Sequence, residues 1–235
     1  MTERGAKAVQ RDRTSLSIGP SVMSWDGAKI DVVFDEVTMP WGYRTRGSIA
    51  LYPTLMPTTT WTLAEHGDHC WTPLAPIARV VVNLTEPELK WSGSAYLDHN
   101  SGAAPLEDAV TRWHWSRASH RHDTVALYDA QLRDGSLRSL ALRYTAAGNA
   151  EQVAPPRIAP LPATRWRIAR ETRADAGNAT VVRTLEDTPF YARSLVATRL
   201  LGNDMLAMHE SLSLSRFRSP LVQWMLPFRM PRRPD

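Results

Sequence analysis

What most limits this chain is a short pattern that recurs: turn-forming pairs separated by strand-length runs. "DTVALYDAQLRDGSLRSLALRYT", residues 123–145, carries two runs of strand formers about Asp134–Gly135. An Asp-Gly pair accepts the backbone angles that a tight hairpin demands. "SWDGAKIDVVFDEV" repeats the device at Asp26–Gly27, followed by Ile30, Val32 and Phe34 in alternation. "ARSLVATRLLGNDMLAMHESLSLS" turns about Gly202-Asn203-Asp204. Residues two apart on a strand share a face, so such alternation buries one side of a sheet. "RGSIALYP", "TTTWTLAE", "RVVVNL", "KWSGSAYLD" and "TRWRIARET" read as further strands, rich in β-branched and aromatic residues. Helical periodicity is weak, and "APLEDAVTRW" offers one short turn. The chain is therefore read as all-β, in meander order, forming two β-barrel or sandwich units packed together. "RWHWSRASHRHD" interrupts the strand pattern, which sets the units at 1–115 and 116–235. Proline-rich "EQVAPPRIAPLPATRW", residues 151–166, reads as a long connection.

Composition narrows the classes. The 235 residues are 43% hydrophobic and 22% charged, enough to build such cores. No apolar run approaches the ~20 residues that span a bilayer. "MTERGAKAVQRDRTS" lacks the apolar centre of a signal peptide, so a cytoplasmic location is expected. One cysteine, Cys70, allows no internal disulfide, in keeping with a reducing compartment. No Cys/His cluster has the short spacing of a zinc site, so no metal is expected. The net charge of +4 is unevenly spread. The tail "RFRSPLVQWMLPFRMPRRPD" holds five Arg and one Asp, interleaved with Trp224, Leu226 and Phe228. A basic, aromatic tail suits an anionic membrane surface, and peripheral membrane contact is expected there. A solvated extension would have the same composition. No nucleic-acid motif accompanies the charge, so no nucleic-acid partner is expected.

Two stretches combine acid, base and aromatic residues. "DHCWTP" puts His69 and Trp71 on one face of a strand, and "GSAYLDHNSG" does the same for Tyr96 and Asp98. If both strands line one barrel, the four side chains converge. An aspartic acid in an apolar pocket stays protonated and serves as an acid. Aromatic faces stabilise a cation, and a histidine takes a proton from water. Together they suit the addition of water to an electron-rich alkene. The other reading makes Asp98 and Asn100 strand-end partners of backbone, His69 a rim residue and Trp71 plain core. Ser116 and Ser194 lack a nucleophile-elbow context. Glu186 and Asp187, being adjacent, face opposite ways on a strand. His120 and His122 share a face but read as a solvated loop. Cys70 points away from its neighbour His69 and reads as core or rim. His114, between Trp113 and Trp115, reads as packing beside a pocket.

"HCWTPLAPIARV", "WSGSAYLDHNSGAAPLE", "WHWSR", "ETRADAG", "LEDTPFYARS" and "HESLSLSRFRSPLVQWMLPFRMPRR" together resemble the bacterial carotenoid 1,2-hydratases, from about residue 15 to 233. The resemblance implies a lipocalin-like, two-unit β fold. It implies cofactor-independent hydration of the terminal C1–C2 double bond of acyclic carotenoids such as neurosporene and lycopene. It assigns the catalytic positions to His69, Trp71, Tyr96 and Asp98. In the scheme that follows, Asp98 protonates C2 and Trp71 and Tyr96 stabilise the tertiary cation at C1. Water then adds, and His69 or the Asp98 carboxylate takes its proton. His99 and Asn100 would orient the acid, and Trp113, His114 and Trp115 would line the substrate site. Members of the family carry several tens of residues ahead of the segment matching "MTERG", so the piece that supplies the first strands of the N-terminal unit is expected to be missing here, leaving an open sheet edge. Two other functions suit the same lining: a carotenoid or isoprenoid carrier, and a pericyclase-type enzyme on the same fold.

Overall fold

The structure, a computed structural model, describes residues 4–38, 42–63, 69–121 and 123–225. The first part of the chain supplies β1 (Val9–Arg11), β2 (Ser15–Ile18), β3 (Ser21–Trp25), β4 (Ile30–Val37), β5 (Arg44–Leu55) and β6 (Trp61–Thr62). Two long strands follow, β7 (His69–Glu86) and β8 (Glu88–Gly102). They form one sheet in the order β1-β2-β3-β4-β5-β7-β6, with β8 paired to β7.

After a short helix α1 (Leu106–Ala109) come β9 (Val110–His120), β10 (Asp123–Leu132), β11 (Leu137–Thr145) and β12 (Ala150–Gln152). Next are β13 (Arg157–Leu161), β14 (Arg170–Ala174), β15 (Ala179–Asp187), β16 (Tyr191–Leu200) and β17 (Asn203–Ser213). Short helices α2 (Leu214–Phe217) and α3 (Pro220–Met225) close the described chain. The second sheet runs β12-β11-β10-β9-β17-β16-β15, antiparallel throughout, and β13 and β14 pair separately.

The all-β reading holds, and the turn chemistry explains why. Gly27 and Gly135 take the left-handed backbone region, at φ 98° and 88°. Asp26 Oδ1 accepts from the Ala28 and Lys29 amides, and Asp134 Oδ1 from the Ser136 amide, each at 2.8 Å. These Asx contacts satisfy the turn's own amides. The β16–β17 turn sits at Leu201–Gly202, where the Asp175 carboxylate accepts both amides.

Two expectations need correction. "RWHWSRASHRHD" does not interrupt the strands: residues 110–120 are β9, which pairs with both β10 and β17. Its consecutive residues His114, Trp115 and Ser116 are all buried. With both faces covered, no polar–apolar alternation remains to be read. The proline-rich stretch is not simply a connection either. It contains the end of β12 and all of β13, in which Pro160 sits opposite Glu171 of β14, and β13 is paired on one side only. Proline is tolerated at such an edge.

By contact grouping the chain forms two compact units. One comprises the described residues of Met1–Leu55 and Ile77–Leu97, with Trp224; the other comprises those of Met56–Pro76 and Asp98–Gln223. The grouping interleaves the chain, whereas 1–115 and 116–235 divide it once. The physical reason is length: β7 and β8 have 18 and 15 residues, so each contributes to both units.

The second unit carries the site. One face of its seven-stranded sheet packs Ala118, Val125, Leu127, Ala141, Leu200, Met205 and Ala207. The β13–β14 pair covers that same face through polar ties. Arg173 donates to Asp129 from Nε and Nη2 at 2.7–3.0 Å, and His209 Nε2 lies 2.9 Å from the Glu171 carbonyl. The opposite face is aromatic.

Candidate active site

Strand register builds the aromatic face. Tyr128 on β10 is directly opposite Trp115 on β9, which is opposite Glu210 on β17, which is opposite Arg193 on β16. These four form one cross-strand row. Trp113 lies two residues from Trp115 on the same face, diagonal to Tyr128. Their rings stack, with centroids 5.6 Å apart and planes 20° apart. Alanines 126 and 130 flank Tyr128 on its own strand, leaving room for large rings.

Onto this face comes Trp71 from β7. Its indole is fully buried, with its centroid 5.2 Å from that of Tyr128. Its Nε1–H donates to Asp98 Oδ2 at 2.7 Å. A buried indole N–H finds a partner, and here the partner is the half-buried carboxyl group of β8. So the structure brings together two of the residues singled out from sequence, Trp71 and Asp98, by direct contact.

His69, two residues before Trp71, is also buried, and its Nε2 has no hydrogen-bond partner among the described residues. A buried, unpartnered ring nitrogen calls for a reason. Tyr96 is half-buried two residues before Asp98 on β8, and His99 and Asn100 are exposed. Trp113 and Trp115 belong to the aromatic face. His114 points the other way, toward β14. Its Nδ1 lies 2.8 Å from Ser211 Oγ, and its ring stacks on His209 at 6.1 Å.

Tyr128 and Glu210 were missed by sequence reasoning. Burial pushes the Tyr128 phenol above its ordinary range, and the nearby charges of Asp98 and then Glu210 push the same way. Both carboxylates therefore act on one phenol. The available signal was "ALYDA", a large aromatic with an alanine two places to either side, which marks a ring facing other rings.

The remaining sequence candidates are structural. Ser194 accepts from Arg170 Nη1 at 2.9 Å, and Ser116 lies against Thr172. Asp187 caps the amides of Arg165 and Trp166, while Glu186 pairs with Arg193. Cys70 is half-buried and in no disulfide. His122 lies outside the described residues. Among the described residues, no three His, Cys, Asp or Glu side chains are placed to hold a metal ion.

The sequence model of the family described as carotenoid hydratase CrtC matches residues 1–235. The chain belongs to that family. It is 52% identical over 234 residues to the acyclic carotenoid 1,2-hydratase of Thiocapsa roseopersicina, covering 99% of this chain and 58% of that one. To the Cereibacter sphaeroides protein of the same description it is 39% identical, covering 100% of this chain and 84% of that one. The chain thus spans little more than half the length of the first relative. Among solved structures, an AttH protein of Nitrosomonas europaea superposes with a TM-score of 0.60 at 13% identity. That match covers 88% of this chain and 71% of the other. At this identity the likeness is one of fold, the lipocalin-like all-β fold.

Proposed function

We propose that the protein adds water across the terminal C1–C2 double bond of an acyclic carotenoid, such as neurosporene or lycopene, to give the 1-hydroxy product. The observation that carries this reading is the Trp71 Nε1–H to Asp98 Oδ2 hydrogen bond. One carboxyl oxygen accepts from the indole, and the carboxyl group is assigned the role of proton donor. Asp98 gives that proton to C2, and the tertiary cation forms at C1. As the proton leaves, negative charge grows on a carboxylate that already accepts an N–H bond. Such a bond strengthens with charge, so it favours the transition state over the ground state.

The aromatic faces of Trp71 and Tyr96 are the groups assigned to the cation, at about 0.5–2 kcal/mol per contact. Water attacks C1, and its proton goes to His69 or returns to Asp98. The His69 Nε2, which has no partner among the described residues, supports the first route. The sum is substrate plus water to product, with no change of oxidation state, so a cofactor has no step to perform. His99, Asn100, Trp113 and Trp115 are assigned to holding the acid and substrate. We also assign a peripheral membrane contact to the C-terminal region, because the substrate dissolves in lipid. Leu221 and Trp224 of α3 are 64% and 69% exposed, which supports it. Among the described residues no helix is long and apolar enough to cross a membrane.

The test is turnover of lycopene presented in phospholipid vesicles, with Asp98→Asn beside the unaltered protein. Hydroxylated product from the unaltered protein and none from folded Asp98→Asn is expected. Equal turnover by both would remove Asp98 from the mechanism. Carotenoid bound but unchanged by the unaltered protein would favour a carrier.

A further inference from the structure

We propose that Tyr128 is a positioning residue of this site, whose ring fixes the Trp71 indole so that its N–H meets Asp98. The inference rests on the reading of Asp98 as the acid. It starts from packing. Tyr128 is 4% exposed and stands mid-strand on β10, hydrogen-bonded on both sides by β9 and β11. Its place is therefore set by the sheet and not by a loop. Its ring meets two indoles, Trp113 at 5.6 Å and Trp71 at 5.2 Å. Trp113 is itself sheet-held on β9.

Trp71 sits outside this seven-stranded sheet, near the start of β7, which pairs with β8 and, at Trp71 itself, with the two-residue β6. Strand pairing fixes the backbone of Trp71 but does not by itself choose the rotamer of its indole. Contact with Tyr128 couples it to the rigid sheet. An offset of an ångström in a group next to reacting atoms costs about 100-fold in rate. The phenol hydroxyl has a lesser part. Burial, and then the nearby Asp98 and Glu210, push its ionisation further up, so the phenol brings no charge to the acid.

The first experiment needs no carotenoid. The Trp71 indole N–H is assigned in a nitrogen-15 spectrum by its loss in Trp71→Phe, and its hydrogen exchange is compared in Tyr128→Phe and Tyr128→Leu. Exchange at least tenfold faster in Tyr128→Leu, near unaltered in Tyr128→Phe, with the Trp91 indole unchanged, is expected. Unchanged Trp71 exchange in a folded Tyr128→Leu overturns the proposal, and so does a change shared by all indoles. If Tyr128→Leu does not fold, Trp113→Leu, which removes the ring stacked on Tyr128, replaces it with the same expectation.

The second experiment reads turnover. Tyr128→Leu is expected to lower kcat about 100-fold with little change in KM, and Tyr128→Phe to restore most of it. In Trp71→Phe, which lacks the N–H, adding Tyr128→Leu should cost much less. Full multiplication of the two losses would contradict action through Trp71. An inactive Asp98→Asn with a fully active Tyr128→Leu would defeat only the positioning role. An active Asp98→Asn would defeat the acid reading while leaving the exchange result standing.

Discussion

Acidification should destabilise this protein through two histidines that the hydration scheme does not use. His114 and His209 are buried on the β14-covered face of the second sheet. Burial is the largest cause holding both below the usual histidine value of 6.5, His114 to about 3 and His209 to about 4. For His114 the charges of His209 and Arg112 add to burial; for His209 the charge of Arg170 adds, and the Glu171 carbonyl opposes it. The Glu171 carboxylate lies 3.9 Å from both His114 Nε2 and Arg112. At that distance it does not outweigh burial.

A base whose folded value is depressed takes up its proton first in the unfolded chain. Stability is then full above about pH 7 and falls as pH drops from about 6.5 toward 4. Between pH 7 and pH 5 each histidine costs about 2 kcal/mol, and the pair about 4 kcal/mol. That is a large share of the 5–15 kcal/mol typical of a folded protein. The assay is urea unfolding at both pH values for the unaltered protein, His209→Gln, and the His114→Gln/His209→Gln pair. The single variant should show about half of this pH loss, and the double variant should lose the histidine part altogether. An identical pH dependence in all three would refute the reasoning.

Other outcomes follow from the same structure. Asp98→Asn should lower turnover at least 100-fold while leaving the melting temperature within a few degrees, as checked by scanning calorimetry. Asp129→Ala should cost about 3–5 kcal/mol in urea unfolding, because Arg173 would remain buried without its carboxylate. Gly47→Ala should destabilise the first sheet, since a Cβ there would meet the Asn83 carbonyl oxygen at 2.5 Å, and the thermal midpoint would report it. Leu221→Ser/Trp224→Ser should weaken co-sedimentation with anionic vesicles without lowering stability.

Hairpins were the most legible part of the chain, because Asp26–Gly27 and Asp134–Gly135 carry their turn chemistry within four residues. The pairing of β9 was not legible. His114, Trp115 and Ser116 are buried on two different faces, so the sequence shows no period there. β13 was hidden by Pro160, which an edge strand accepts, and by the prolines on either side of it. At the site, strand spacing rightly put Trp71 and Asp98 each on a defined face. It could not show that β7 and β8 would bring the indole to the carboxylate, since that depends on register across a hairpin. Tyr128 escaped notice for a related reason. It lies 57 positions after Trp71 in the sequence, and only the packing of β7 onto the face of the second sheet brings the two rings together.

The central claim is that Asp98 delivers a proton and water completes the addition. The most direct measurement follows carotenoid products by mass spectrometry after incubation in oxygen-18 water with lycopene or neurosporene in lipid vesicles. A product heavier by one labelled water, formed by the unaltered protein and absent with Asp98→Asn, is the predicted result. Carotenoid recovered without added mass, or labelled product formed equally well by Asp98→Asn, would contradict the account.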